Sequence, residues 1–286
     1  MRVSLCIPAR TLYIAGMTQS PPQLTDRAAL TRFRRRLTEE GQFLIEVTAD
    51  EIKERLELVN RTFTSPAVVS GQPKIWAKHF PEMTHVTDDE VLDLQPGAHD
   101  LVIHALSLHW ANDPVGQMVQ CRHALKPDGF FLTAMFGGQT LQELRIALAE
   151  AETSITGGLS PRVLPMAEIR DLGGLLQRAG YALPVADSTP RTVSYRDALH
   201  LMHDLRAMGE GNALTSRRKA TPPKALFPQA AAIYAQNFGE DGRIPATFET
   251  IFLTGWSPDA SQQKPLRPGS AESRLADALG TRETKL

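Results

Sequence analysis

The chain of 286 residues holds only two cysteines, Cys6 and Cys121. That excludes a disulfide framework, and two isolated thiols make no zinc-ligand pattern. Charge of one sign is not in excess either. Lys and Arg number 31 against 32 Asp and Glu, a formal net charge of -1, so no whole-chain basic footprint argues for nucleic acid. Long apolar runs are lacking too: the longest are strand-sized, roughly 6 to 8 residues, too short to span a bilayer. Residues 1–25 contain no acid and two arginines, Arg2 and Arg10. This fits either a weak organelle presequence or an extended start ahead of Met17, from which MTQSPPQLTDR reads as a natural N-terminus. What is there is an ordinary globular composition, 42% hydrophobic and 22% charged, with length for one large domain or two small ones and thiols suited to a reducing compartment.

Leu24 to Leu37 reads as a helix with Leu30, Phe33 and Leu37 on one face; Arg27, Arg34, Arg35 and Arg36 cover the rest, either as a solvated face or as a docking surface for an acidic partner or anionic lipid. Thr48 and Glu51 have the spacing of a capping box, with Val47 and Ile52 as its staple, so a second helix is predicted to start there and run through Val59. From Pro66 onward, strand-sized and helix-sized patterns alternate: Ala67–Ser70, Lys74–Phe80, Thr84–Thr87, Leu101–Leu106, a helix from Pro114, and Phe130–Phe136 after the turn "KPDG". Helices follow from Leu141 and Ile169, the second capped by Gly180, then a strand at Ala182–Ala186, helices around Leu199–Met208 and Ala225–Phe238, and a strand at Thr247–Trp256. Such alternation predicts a mostly parallel sheet covered on both faces, with ligands beyond the carboxyl ends of the strands. In "HDLVIHALSLHWANDP" (99–114) a buried strand therefore delivers Ser107, His109, Trp110, Asn112 and Asp113 to that rim.

A strand ending D-L-V, then "LSLHW", a helix, "LKPDG" and another strand resembles the second half of class I S-adenosylmethionine-dependent methyltransferases. "AMFGGQTLQELR" (134–145), "GGLSPR" (157–162), "DLGGLLQRAGY" (171–181), "LMHDLRAMGEGN" (201–212) and "PATFETIFLTGW" (245–256) are similar, in order, to assembly factor 5 of respiratory complex I and its bacterial relatives. The likeness runs from about Asp88 to Trp256; malonyl-carrier methyltransferases of biotin synthesis are a more distant resemblance. It implies a Rossmann-like α/β sheet with its last strand antiparallel, S-adenosylmethionine as ligand or donor, and a complex I subunit as partner. The action implied is on an arginine, by hydroxylation rather than methylation.

The first half departs from that pattern. A D-x-G-x-G loop should follow the first strand, but between Phe63 and Asp88 the only glycine is Gly71. No acid is found closing a second strand, and the roughly 25 residues available are fewer than one βαβ unit takes, about 30. One strand-helix unit is expected to be missing or shortened. "THVTDDEVLDL" matches the family's third-strand loop, so Asp88, with Asp89 beside it, is the implied adenine-side acid, unless both are turn acids. Gly71, Ala105 and Ser107 complete the implied cofactor contacts.

At the rim, His109 is the candidate base or orienter of an arginine, or else a backbone-bonded histidine. Trp110 is positioned to stack on a guanidinium or to plug the rim. Asp113 is a candidate acid or an N-cap. His104 and His109, five apart on a strand and its exit, are expected to face opposite ways. They therefore give no metal site with Asp113, and His200, His203 and Asp204 read as a surface group. Glu143 and Arg145 line the rim or pair on a helix. The expected organisation is a flexible N-terminus (1–23), a helical extension (24–61), the methyltransferase-like domain (62–256) and a mobile tail with a short helix (257–286). The expected function is a methyltransferase-like complex I assembly factor acting on or binding an arginine-bearing subunit, in the bacterial cytoplasm or the mitochondrial matrix. The alternatives are a non-catalytic scaffold and an ordinary methyltransferase of a protein or small molecule.

Overall fold

The computed structural model describes residues 23–263; the expected presequence or extended start, and the part of the expected tail from residue 264 on, lie outside them. Two helices, α1 (Arg27–Arg34) and α2 (Phe43–Leu58), precede the sheet. Then come β1 (Pro66–Ser70), α3 (Pro73–His79), β2 (Thr84–Thr87), β3 (His99–Ala105), α4 (Pro114–Ala124), β4 (Leu125–Phe136) and α5 (Gln142–Thr156). The chain closes with α6 (Ile169–Arg178), β5 (Ala182–Tyr195), α7 (Ala198–Ala207), α8 (Leu226–Phe238) and β6 (Ile244–Trp256). The six strands lie in the order β2-β1-β3-β4-β6-β5. The first four are parallel, and β6 runs antiparallel to both its neighbours.

The period-2 alternation of β3 and β4 divides the core. Leu101, Ile103, Phe130 and Leu132 face one way, against α2, α5, α7 and α8. Val102 and Phe131 face the other, against α4 and α6. All six are at most 4% exposed, as expected of central strands covered on both faces. At β3's exit Leu106 takes φ +41, an uncommon conformation for a branched side chain. It turns the chain into the 3₁₀ turn Leu108–Trp110. Asp113 then caps α4, accepting from the Gly116 amide at 2.7 Å, with Pro114 at the first helical position.

Three sequence expectations are corrected. First, α2 starts at Phe43, so Thr48 and Glu51 are mid-helix; Thr48 is buried, and Glu51 binds Arg55, Thr189 and Arg191. The apolar spacing Leu44/Ile45, Thr48/Ala49, Ile52 continues the buried face upstream and outweighs the capping signal. The two N-terminal helices are also no appendage, since α2 shares the core of the sheet. Second, β2 pairs directly with β1, Ala67 to Thr84 through Ser70 to Thr87. It thus holds the second-strand place, and Asp88 is the acid that closes it. The sheet of the described residues has six strands, with β2 at one edge. Third, Arg27 and Arg34 are not on a solvated face: both turn inward, Arg34's side chain to 11% exposure.

Candidate functional site

The carboxyl ends of β1, β2 and β3 form one rim, divided into two parts by Phe136, Met208 and Glu210, which border both. In the part over Gly71, Asp88 is 3% exposed. Its Oδ1 accepts from Arg34 Nη1 at 2.7 Å and Arg27 Nη2 at 3.1 Å; its Oδ2 accepts from Arg34 Nη2 at 2.9 Å. Burial pushes this carboxyl upward, and the two guanidiniums overcome that, holding it below the ordinary carboxylate range. Gly71 lies directly under the same arginine: a Cβ there would collide with the Arg34 guanidinium. Gln72 Nε2 donates to the Arg34 carbonyl at 3.1 Å, fastening the end of α1 to the loop after β1.

The other cofactor candidates are engaged in the protein itself. Ala105 is buried and pairs with Ala134 in the sheet. Ser107 is buried, with its hydroxyl 3.4 Å from His104 Nδ1. His104 Nε2 meets Gln117 Oε1 at 2.8 Å, and Gln117 Nε2 donates to the carbonyls of Asp88 and Asp89. That fixes the His104 proton on Nε2, because the Gln117 oxygen can only accept. Asp89 is exposed and bonds to Thr87 Oγ1. The residues therefore do not fit S-adenosylmethionine in this conformation. Both carboxylate oxygens of Asp88 are engaged by arginines, the Arg34 guanidinium covers Gly71, and the remaining space is about 30 Å³, room for about two waters.

The part around His109 is different. His109 is 8% exposed and, among the described residues, neither ring nitrogen has a hydrogen-bond partner. Its ring lies 5.2 Å from that of Phe136. Trp110 is 3% exposed, packed with Ala29, Leu30, Leu164 and Leu214. It presents little open face for stacking; its Nε1 donates instead to Glu210 Oε2 at 2.7 Å. The same oxygen is 3.6 Å from His109 Nε2, too far for a hydrogen bond. Burial works to raise the Glu210 carboxyl. His109, Arg34 and the Trp110 N–H prevail and hold it below its ordinary range. A cavity of about 70 Å³ lies among His109, Trp110, Leu144, Met166 and Glu210.

Glu210 is the residue that sequence reasoning missed, although it lies inside a motif that carried the resemblance. The inward pair was also missed: Arg27 and Arg34 are seven residues apart, two turns on one helix face, which was the available signal. Glu143 and Arg145 do not pair; Glu143 accepts from Thr247 and Arg145 donates to the Thr140 and Leu164 carbonyls. Among the described residues, no three His, Cys, Asp or Glu side chains come together as a metal site, and no helix is long and apolar enough to cross a membrane.

Strand order, the antiparallel β6 and the rim at the carboxyl ends define an α/β protein of the class I methyltransferase type. No family model matches the chain. It is 39% identical over 222 residues to the zebrafish (Danio rerio) protein named arginine-hydroxylase NDUFAF5, mitochondrial, covering 77% of this chain and 69% of that one. The human protein of the same name is 42% identical over 216 residues, 75% of this chain and 62% of that one. Malonyl-[acyl-carrier protein] O-methyltransferase of Methylovorus is 33% identical over 173 residues, 60% of this chain and 56% of that one. A solved structure of phosphoethanolamine N-methyltransferase 2 from Haemonchus contortus is similar at 9% identity and a TM-score of 0.35, over 70% of this chain and 50% of that one. The chain belongs to the NDUFAF5 arginine-hydroxylase family. Its match spans 45% to 69% of the length of the NDUFAF5 relatives.

Proposed function

We propose that this protein is a complex I assembly factor that engages an arginine-bearing subunit of the complex at the rim around His109, with its nucleoside groove closed by its own N-terminal helix. One contrast carries this reading. Asp88, the acid after β2, is already held by two internal arginines, while the rim around His109 keeps a buried histidine whose ring nitrogens have no hydrogen-bond partner among the described residues. The side chains at the rim can bind and orient an arginine and exclude water. Neither His109 nor Glu210 supplies oxidising equivalents, so no oxidation step is assigned to them. The place of work is the bacterial cytoplasm or the mitochondrial matrix.

A ligand that binds the native state must raise its melting temperature. The expected result with millimolar S-adenosylmethionine is no shift; a clear shift for the wild-type chain would overturn the closed groove. Association with an arginine-bearing complex I subunit is expected in co-purification, and its absence would overturn the assembly role. The methyltransferase relatives at 33% identity favour a second reading, an ordinary methyltransferase whose groove opens when α1 withdraws. That reading requires Arg34→Ala to gain a thermal shift with S-adenosylmethionine and methyl transfer to an acceptor.

A further inference from the structure

We propose that Glu210 is the carboxylate that receives the guanidinium of the partner's arginine, and that the groove outside it binds a segment in which this arginine is flanked by acidic residues. This rests on the reading that the protein binds an arginine-bearing subunit, and it names the residue and the peptide chemistry.

Glu210 is built as a fixed receptor. Its amide donates to the Leu205 carbonyl at 3.0 Å, and the preceding Gly209 takes φ +78. One carboxylate oxygen is held by the Trp110 indole. The other, Oε1, accepts no hydrogen bond among the described residues, and the side chain keeps 21% exposure. A planar guanidinium can donate to that oxygen, and to the acceptor nitrogen of the unpartnered His109 ring beside it; an ammonium lacks the fork.

Next to this cavity, and sharing Leu144, Leu205 and Glu210 with it, runs a groove of about 350 Å³. Phe33, Leu148, Met202 and Phe227 contribute its apolar lining, and Arg36, Arg206 and Arg218 its exposed cations. Two other arginines there are already matched, Arg162 by Glu152 and Arg217 by Asp26. Arg36, Arg206 and Arg218 have no ion pair among the described residues. One recessed anion inside a ring of cations repels a polybasic segment. It admits an arginine whose neighbours carry the opposite sign, since complementary charge both attracts and selects.

The test uses the full chain and labelled peptides in fluorescence anisotropy: acetyl-Asp-Leu-Arg-Leu-Asp-amide, the same peptide with citrulline for arginine, and one with lysines for the aspartates. The acidic arginine peptide is expected to bind at least about tenfold more tightly than either other peptide. Glu210→Gln should remove the arginine-over-citrulline preference and leave citrulline binding unchanged, and Glu210→Asp should keep part of it. Arg36→Gln with Arg206→Gln and Arg218→Gln should weaken the acidic peptide and flatten its salt dependence. Equal binding of arginine and citrulline peptides, an intact preference in Glu210→Gln, or no binding of any peptide by the wild type would overturn the proposal. Failure is separable from that of the wider reading. If the complex I subunit co-purifies equally well with wild type and Glu210→Gln, only this proposal falls; if it does not co-purify with the wild type, the assembly role falls.

Discussion

Replacing Asp88 by alanine should destabilise the free protein strongly, because the change strips two arginines of their counter-ion. The carboxylate side chain is 4% exposed and Arg34's 11%, so both charges of that pair are largely out of water. Removing one member of such a pair leaves an uncompensated buried charge and costs about 3–5 kcal/mol. The lower end is expected, since Arg27 is 24% exposed and has Asp89 Oδ1 at 3.9 Å as a second partner. For a domain of this size each kcal/mol moves the melting point by about 2–4 °C, so a fall of about 10 °C is expected in calorimetry. A double-mutant cycle with Arg34→Ala should return a coupling of about 2 kcal/mol between the two residues, within the range for groups in direct contact. The pH dependence has a fixed sign. Asp88's folded pKa lies below its unfolded value near 3.8, so its contribution is fully present above that value and is lost as pH falls through the folded one. Asp88→Ala should therefore flatten the acid limb of the stability curve. If Asp88→Ala leaves the unliganded protein within about 0.5 kcal/mol of wild type, as exposed substitutions do, the carboxylate is a waiting ligand group and the closed-groove argument is wrong.

His104 is fully buried and burial pushes its pKa from 6.5 down to about 4. The neutral form belongs to the folded state, so this contribution is present above pH 6.5 and lost toward pH 4. The loss is about 3 kcal/mol, seen as a fall in urea midpoint that His104→Asn should lack. Trp110→Phe keeps the ring but removes the only indole donor to Glu210. A loss of about 1–3 kcal/mol is expected in chemical denaturation, and no loss would mean that Glu210 finds another donor. Cys121 is buried and its thiol is pushed far above its ordinary pKa. In a Cys6→Ser background it should react with an aromatic disulfide reagent only after denaturant is added, and labelling in the native state would contradict its burial.

The parts of this protein that were legible in the sequence are those whose cause is local. Asp113 and Pro114 start α4 by chemistry confined to four residues, and the period of Leu101–Leu106 is that of a covered strand. The resemblance identified the sheet type, the antiparallel last strand and the deficit near the first strands. Elements set by distant partners were misread or cut short. β5 was expected to end at Ala186 and continues to Tyr195, passing through Pro190. It can do so because it is the edge strand beside β6, where a residue without an amide proton breaks no inner ladder. The Thr48–Glu51 signal was real as a pattern and was overridden by packing from Phe43 onward. At the site, the partners of Asp88 are 61 and 54 residues away, and no periodicity reports a contact of that range. Glu210 had the same difficulty: its importance comes from standing 2.7 Å from an indole nitrogen 100 residues earlier in the chain.

The two halves of the rim are mechanically joined, and this limits how the protein can use them. Arg34 fills the groove over Gly71, and the α1 backbone at Arg34 lies so close to Gly209 that a Cβ there would press on Arg34 Cα. Gly209 immediately precedes Glu210. Anything that enters the groove over Gly71 must move Arg34, and with it the surface that Gly209 and Glu210 rest against. Trp110 is tied to the same helix through Ala29 and Leu30. A nucleoside that binds only when α1 is withdrawn and a client that binds only when α1 is seated must weaken one another by the same factor, because coupling between two sites is reciprocal. In Arg34→Ala, where the groove is unblocked, saturating S-adenosylmethionine should therefore lower the affinity for the acidic arginine peptide. The peptide should lower the affinity for the nucleoside equally. Independence of the two ligands would show that the rim around His109 keeps its shape when the groove is filled, and would rule out a shared helix position.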